Sequence, residues 1–231
     1  MTQETDAVRD RYTRRATQVE PMRYSLLRAA NWQTVQERQR AMLRMFAAAG
    51  LADLSQVRLA EVGAGTGGNM LELLRAGFVP ENLIGVELLE ERAAIARHML
   101  PSAVRFETGD ATALAVEPGS LDVVFQSVVF SSLLDDAFQQ RLAQAMWGWL
   151  RPGGAVLWYD FTYDNPSNPD VRGVPLARVR ALFPAGNIRA QRVTLAPPIA
   201  RRVAAVHPSL YTLCNLLPLL RTHLLCWIEK S

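Results

Sequence analysis

The sequence predicts an α/β fold, a doubly wound, mostly parallel sheet with helices on both faces. Three observations lead there. Short apolar runs at 57–62, 83–87, 104–107, 121–126 and 155–161 alternate with stretches of helical spacing, the pattern that right-handed crossovers between parallel strands produce. The glycine-rich segment GAGTGG at 63–68 follows the first run directly. The chain of 231 residues is 49% hydrophobic, enough for the core of one domain of ordinary size.

In chain order, residues 33–50 place Met42, Leu43, Met45 and Phe46 at helical spacing and end on Gly50, a C-terminal stop. The first strand, 57–62, enters the glycine loop, and a helix over 69–76 leaves it. Strand 83–87, helix 89–99, strand 104–107, strand 121–126 and helix 137–150 follow. The RPGG at 151–154 is expected to form a tight turn into a fifth strand at 155–161, since proline ends the helix and glycine permits positive φ. Beyond it come a polar, proline-punctuated loop (162–173), a short helix (176–183), a strand (188–195), an apolar cap (196–220) and a last strand (223–229). The expectation is one domain over 1–231, with a helical segment at 1–50 and the cap at 196–220.

Charge and composition narrow the function classes. The 25 basic residues, all arginine except Lys230, exceed the 22 acids by three, an excess too small and scattered for a nucleic-acid footprint. Cys214 and Cys226 lack metal-ligand or CxxC spacing and read as buried thiols of a reducing compartment. The opening MTQETDAVRDRYTRR is charged, without an apolar signal core, so the expected location is cytoplasmic. Residues 210–220 are apolar but interrupted by Asn215 and Pro218, and fall short of the roughly 20 residues that span a bilayer.

Gly63, Gly65 and Gly68 bring bare backbone to a helix N-terminus, which suits a small-molecule site at the strand ends. The same spacing satisfies the dinucleotide fingerprint, so the loop by itself serves a nicotinamide enzyme equally well. Acids end the next two strands. Glu87 suits a ribose diol, and Asp110, beside small Ala111, suits the exocyclic amine of an adenine, with Leu88 covering the base. Each acid also reads as a helix cap or a solvated carboxylate.

Taken together, EVGAGTGG (61–68), GVELL (85–89), GDATAL (109–114), LDVVFQSVVFSSL (121–133) and LRPGGAVLWYDF (150–161) resemble, in order and spacing, the five motifs of class I S-adenosylmethionine-dependent methyltransferases. A nearer similarity is to the bacterial type 11/12-like group, carried by YDF (159–161), NP and NPDVRG (165–173), TLAPP (194–198) and PLLRTH (218–223). The resemblance implies a Rossmann-like sheet of seven strands, the last one antiparallel and inserted between the fifth and sixth. It implies S-adenosylmethionine as cofactor. Glu61 and the loop Gly63, Ala64, Gly65, Thr66, Gly67 would face its methionine part, Glu87 and Leu88 its ribose and base, and Asp110 and Ala111 the adenine. Gln126 and Ser127 would lie near the sulfonium. Ala64 stands where many relatives carry cysteine. Tyr12 and Arg15 match positions that close over the methionine carboxylate; a surface helix face reads the same way.

The acceptor is expected to be a small polar or carbohydrate-like hydroxyl compound, because the loop after the fifth strand is dense in amide, acid and guanidinium groups. An oxygen acceptor calls for a base. The candidates are Asp160, the better placed and equally suited to a structural hydrogen bond, and His207, which reads more readily as an ordinary loop histidine. Asp160, Asp164 and Asp170 match no metal-ligand pattern, so no metal is expected. Lipid, quinone or natural-product methylation is the rival reading, with peripheral membrane contact through the apolar 210–220 stretch beside Arg201 and Arg202. A non-catalytic cofactor-binding protein is the other. The leading helices argue against a nicotinamide enzyme, and QSVVF at 126–130 lacks the motif of base-directed nucleic-acid methyltransferases.

Overall fold

The computed structural model describes residues 3–18 and 22–231, with the side chains of 15–18 excluded. Eight helices and seven strands are formed among them: α1 Gln3–Gln18, α2 Ala29–Ala48, β1 Leu59–Val62, α3 Gly68–Ala76, β2 Leu83–Glu87, α4 Glu90–Met99, β3 Arg105–Thr108, β4 Leu121–Ser127, α5 Asp136–Trp149, β5 Leu150–Phe161, α6 Leu176–Leu182, β6 Gly186–Leu195, α7 Pro197–Val206, α8 Pro208–Asn215 and β7 Arg221–Lys230.

The strands form one sheet in the order β3-β2-β1-β4-β5-β7-β6. β1 to β5 run parallel, and β7 lies antiparallel between β5 and β6. The sheet reverses its strand order at β1 and β4, where an open α/β sheet leaves a crevice at the carboxyl ends of the strands.

Alternation along the strands divides the core in two. Ala60, Val62, Val124, Val156 and Trp158 face α5, α6 and Val8 of α1. Leu59, Phe125, Leu157 and Tyr159 face Met42 and Phe46 of α2 and Met70 and Leu73 of α3. Glu61, in phase with Leu59, therefore points to the α2–α3 side.

The RPGG segment departs from the expected turn. It lies inside β5, where the pairing with β4 slips between Leu121↔Leu150 and Val123↔Ala155. Gly153 takes φ +74°, and a Cβ at Gly154 would sit 2.9 Å from the Asp122 carbonyl oxygen. The glycines thus accommodate a bulge, with extra residues opposed to β4.

β6 and β5 are both antiparallel to β7, so β6 ends on the same edge as β5. The pairs Phe161↔His223 and Leu195↔Arg221 mark that edge. There the 196–220 segment folds as α7 and α8, which pack on α2 through Ala30, Ala200, Ala204 and Tyr211. Cys214 and Cys226 are free thiols; burial pushes that of Cys226 up to about 12.

Candidate active site

The site begins where β1 runs out. Gly63, Gly65 and Gly67 take φ values of +66°, +58° and +84°, conformations in which a Cβ is strained. Contacts add to this at all three, with a Cβ on Gly65 only 2.6 Å from the Arg92 guanidinium. A Cβ on Gly63 would lie 2.5 Å from Val129 Cγ2, and one on Gly67 3.0 Å from Leu100. Ala64 is buried, while Thr66 is exposed at the outer side of the loop.

Glu87 binds the loop to the next strand. Its carboxylate accepts from the backbone N–H of Gly65 at 2.8 Å and of Leu89 at 3.0 Å, and only 5% of the residue is exposed. Leu88 is half-buried beside it. Asp110 accepts from the Thr112 N–H at 2.8 Å and hydroxyl at 2.7 Å, capping the short turn that carries Ala111.

Glu61 is completely buried. Its Oε1 accepts from Asn69 Nδ2 at 2.6 Å, and its Oε2 has no partner. Burial drives its pKa up to about 8, against the opposing pull of Asn69 and Arg38. A buried carboxylate oxygen without a donor is costly unless protonated or met by a cationic ligand, so the cleft over β1 suits the ammonium of an amino acid. With the glycine cradle, this is the chemistry an adenosylmethionine site requires.

Asn69 passes the contact on. Its Oδ1 accepts from Arg38 Nη2 at 2.7 Å, and Arg38 of α2 also reaches Glu72 at 3.0 Å and Ser127 Oγ at 3.4 Å. The Arg38 guanidinium lies over the Tyr159 ring, 5.4 Å from its centroid. The opposite end of the cluster is His223, stacked on Tyr159 at 4.9 Å and 15°. Burial, then Arg38, lowers the His223 pKa to about 4, so the imidazole is neutral at physiological pH. The Tyr159 hydroxyl is 2.8 Å from Thr194 Oγ1, and buried Glu37 accepts from the Thr194 N–H at 3.0 Å. Sequence reasoning passed over Arg38, Asn69, Tyr159 and His223. Tyr159 and His223 fall within the YDF and PLLRTH segments, which assign them no role, and Arg38 and Asn69 belong to no motif.

α1 crosses the same edge. Arg11 pairs with Glu4 at 2.6 Å and donates to the Ser132 carbonyl at 3.0 Å, and Glu4 accepts from the Leu134 N–H at 2.8 Å. Arg14 pairs with Asp170 at 2.8 Å. The Tyr12 ring carries the Arg92 guanidinium, 5.2 Å away, and Arg92 in turn lies against Gly65. Tyr12 is thus brought beside the glycine loop; the side chain of Arg15 lies outside the described residues.

The remaining expected residues serve the framework. Gln126, fully buried, donates to the Tyr159 carbonyl at 3.3 Å and accepts from the Val129 N–H at 3.1 Å, shaping the bend after β4. Asp160 is fully buried, with one oxygen accepting from the Ser131 N–H at 3.1 Å and the other from the Phe161 N–H at 2.9 Å. Burial raises its pKa to about 7, yet both oxygens are engaged by backbone, the hydrogen-bonding role that the sequence left open. His207 is exposed and caps α8, its Nδ1 accepting from the Ser209 N–H at 3.2 Å. Tyr211 of α8 is 1% exposed, and its hydroxyl lies 3.2 Å from that of Thr34.

Residues 59–154 match a family model described as a methyltransferase domain. No curated protein sequence matches the chain. Among solved structures, an S-adenosylmethionine-dependent methyltransferase of Mesorhizobium loti has a TM-score of 0.60 at 17% identity, covering 84% of this chain and 96% of its own. A Thermotoga maritima S-adenosylmethionine-dependent methyltransferase, described as a possible histamine N-methyltransferase, has a TM-score of 0.64 at 15% identity and covers 96% and 99%. Phosphoethanolamine N-methyltransferase 1 of Haemonchus contortus, solved with phosphoethanolamine and S-adenosylhomocysteine, has a TM-score of 0.66 at 14% identity, over 100% of this chain and 50% of its own. Residues 59–154, from β1 to the bulge of β5, thus form a methyltransferase domain, and the chain shares its fold with S-adenosylmethionine-dependent methyltransferases.

Proposed function

We propose that the enzyme methylates a hydroxyl oxygen of a small polar acceptor, with His223 as the proton acceptor. The observation that carries this reading is the neutral His223 imidazole at the carboxyl edge, stacked on Tyr159 and next to Arg38. Its Nδ1 lies 3.1 Å from Thr222 Oγ1; with the Nδ1 proton donated to that oxygen, Nε2 presents a lone pair.

When bound, S-adenosylmethionine supplies a methyl group already activated by its sulfonium. Glu61 Oε2 would receive the ammonium of its amino-acid part, the loop Gly63 to Gly67 would follow its backbone, and Tyr12 would close over that end. Glu87 and Leu88 would hold the ribose, Asp110 and Ala111 the adenine, and Ser127 would border the reacting centre. What the protein adds is alignment, water exclusion and a destination for the acceptor proton. His223 is suited to this last task. Asp160 has both oxygens committed to backbone donors, and His207 is committed to a helix cap.

Local charge selects against a cationic acceptor. Arg38 borders the cluster, and Glu37, its acidic neighbour on α2, is held by Thr194. A neutral or anionic hydroxyl compound suits such surroundings better than an ammonium. The test is turnover of methyl-labelled cofactor with paired hydroxyl and amine acceptors of the same skeleton. Labelled ether from the hydroxyl member, with His223→Gln lowering kcat and leaving KM for the cofactor unchanged, is the expected result. Preferential methylation of the amine would overturn the proposal.

A further inference from the structure

Outward from the site, the cap carries a surface that neither cofactor nor core uses. α8 buries Tyr211 and Asn215 and turns Leu213 to solvent; Leu216 and Leu217 continue that outer face at helical spacing, and Leu219 follows, 91% exposed. The segment leading into α2 also exposes Tyr24 and Leu27, the latter 89% exposed. The two groups belong to one layer, since Ala30 in the first turn of α2 packs with Ala200, Ala204 and Tyr211 of the cap. Large apolar side chains clustered in this way mark an interaction surface rather than scattered surface residues.

The charge of the same region is one-sided. Residues 171–228 contain eight arginines and not one aspartate or glutamate, although the whole chain is nearly balanced. Arg201 and Arg202 stand exposed on α7, directly before the leucine-bearing face. Protruding leucines in a stretch with eight arginines and no acid of its own match a bilayer whose headgroups are anionic. A polynucleotide would account for the arginines and leave the leucines unexplained. No helix among the described residues is long and apolar enough to cross a membrane, so this contact lies in the interface.

We infer that the outer face of the α7–α8 cap, with the Tyr24–Leu27 segment, docks the enzyme on an anionic lipid surface. The cap leaves the sheet at Leu195 and returns at Arg221, two residues before His223. Docking therefore turns the acceptor side of the sheet edge toward the bilayer. The inference stands independently of which atom is methylated.

The test uses the full chain in flotation with phosphatidylcholine vesicles, with and without roughly one-third phosphatidylglycerol. Flotation with the anionic vesicles alone, reversed by high salt, is expected. R201Q/R202Q should weaken partitioning about 30-fold, the effect of removing two charges from an anionic surface. L213S/L216S/L217S should abolish it while circular dichroism and the unfolding midpoint stay close to wild type, because these side chains are exposed. Absence of flotation in folded protein, or flotation indifferent to both variants, overturns the inference. So does salt-sensitive retention on an oligonucleotide without vesicle binding. A dimer in light scattering that L213S/L216S/L217S disperses, again without vesicle binding, would assign the face to a second copy of the chain.

Discussion

Glu61→Gln separates binding from folding, because the substitution should move the two in opposite directions. In the free protein the Glu61 pKa stands near 8 against an ordinary value of 4.5, so at pH 7 about nine molecules in ten carry the proton there. A cationic ammonium placed against Oε2 favours the ionised form. Binding should then expel close to one proton, and affinity should rise with pH by up to about tenfold per unit between roughly pH 5 and 8. Glutamine has no proton to expel. Its affinity should be flat over that window and, at pH 8, about 10- to 100-fold weaker for want of a charge-assisted hydrogen bond. Stability runs the other way. The raised group keeps its proton in the folded state while the unfolded chain releases it, so its contribution is full below pH 4.5 and is lost as pH rises toward 8. At pH 7 the loss is about 3 kcal/mol, which glutamine should recover. Calorimetry of S-adenosylmethionine binding in buffers of different ionisation enthalpy counts the protons, and denaturant unfolding at pH 5 and 8 measures the stability. The same proton release in Glu61→Gln as in wild type would refute the reasoning.

Three further outcomes are expected. Glu87→Ala should cost about 1–3 kcal/mol in stability as well as weakening cofactor binding, since two backbone donors lose their acceptor; unchanged unfolding with unchanged calorimetric affinity would remove Glu87 from the site. Asp160→Asn should destabilise by about 1–3 kcal/mol, because an amide cannot accept from backbone on both sides, while kcat of the folded fraction stays within about tenfold; a larger fall in kcat at full folding would return Asp160 to the role of base. His223 is depressed to about 4 from 6.5, so the unfolded chain binds its proton first and stability falls as pH drops from 6.5 toward 4. Comparing unfolding at pH 7 and 4.5, His223→Gln should show a shallower acid loss than wild type, and an identical loss would disprove the assignment.

Much of the fold was legible because its signals are local. The β1 loop announces itself through three glycines within five residues, each required by its own backbone angle. β2, with both boundaries as expected, is a compact apolar run ending in the carboxylate that grips the loop. The RPGG segment was misplaced because the rules for proline and glycine identify a break in regularity without saying whether the partner strand continues alongside it. The site was half legible for the same reason. Glu87 and Asp110 lie at strand ends counted from the glycine loop, whereas Arg38 and His223 are 185 positions apart in the chain and meet only because β7 inserts beside β5. No period or motif reports a guanidinium and an imidazole against one tyrosine ring.

Tyr159 is held from two directions by residues in the left-handed region. Val128, at φ +59°, donates its N–H to the Tyr159 carbonyl at 2.8 Å, and Thr194, at φ +64°, meets the Tyr159 hydroxyl. Both are β-branched, the class for which this conformation is least comfortable. A laboratory selection for heat resistance would weigh glycine at either position, since it relieves the backbone at the expense of the buried Thr194 side chain or of Val128 packed against the core. Each such gain would also loosen one of the grips that present the ring to Arg38 and His223. Thermal hardening and turnover should therefore trade against each other at these two codons, and variants improved in one respect are the natural place to look for loss in the other.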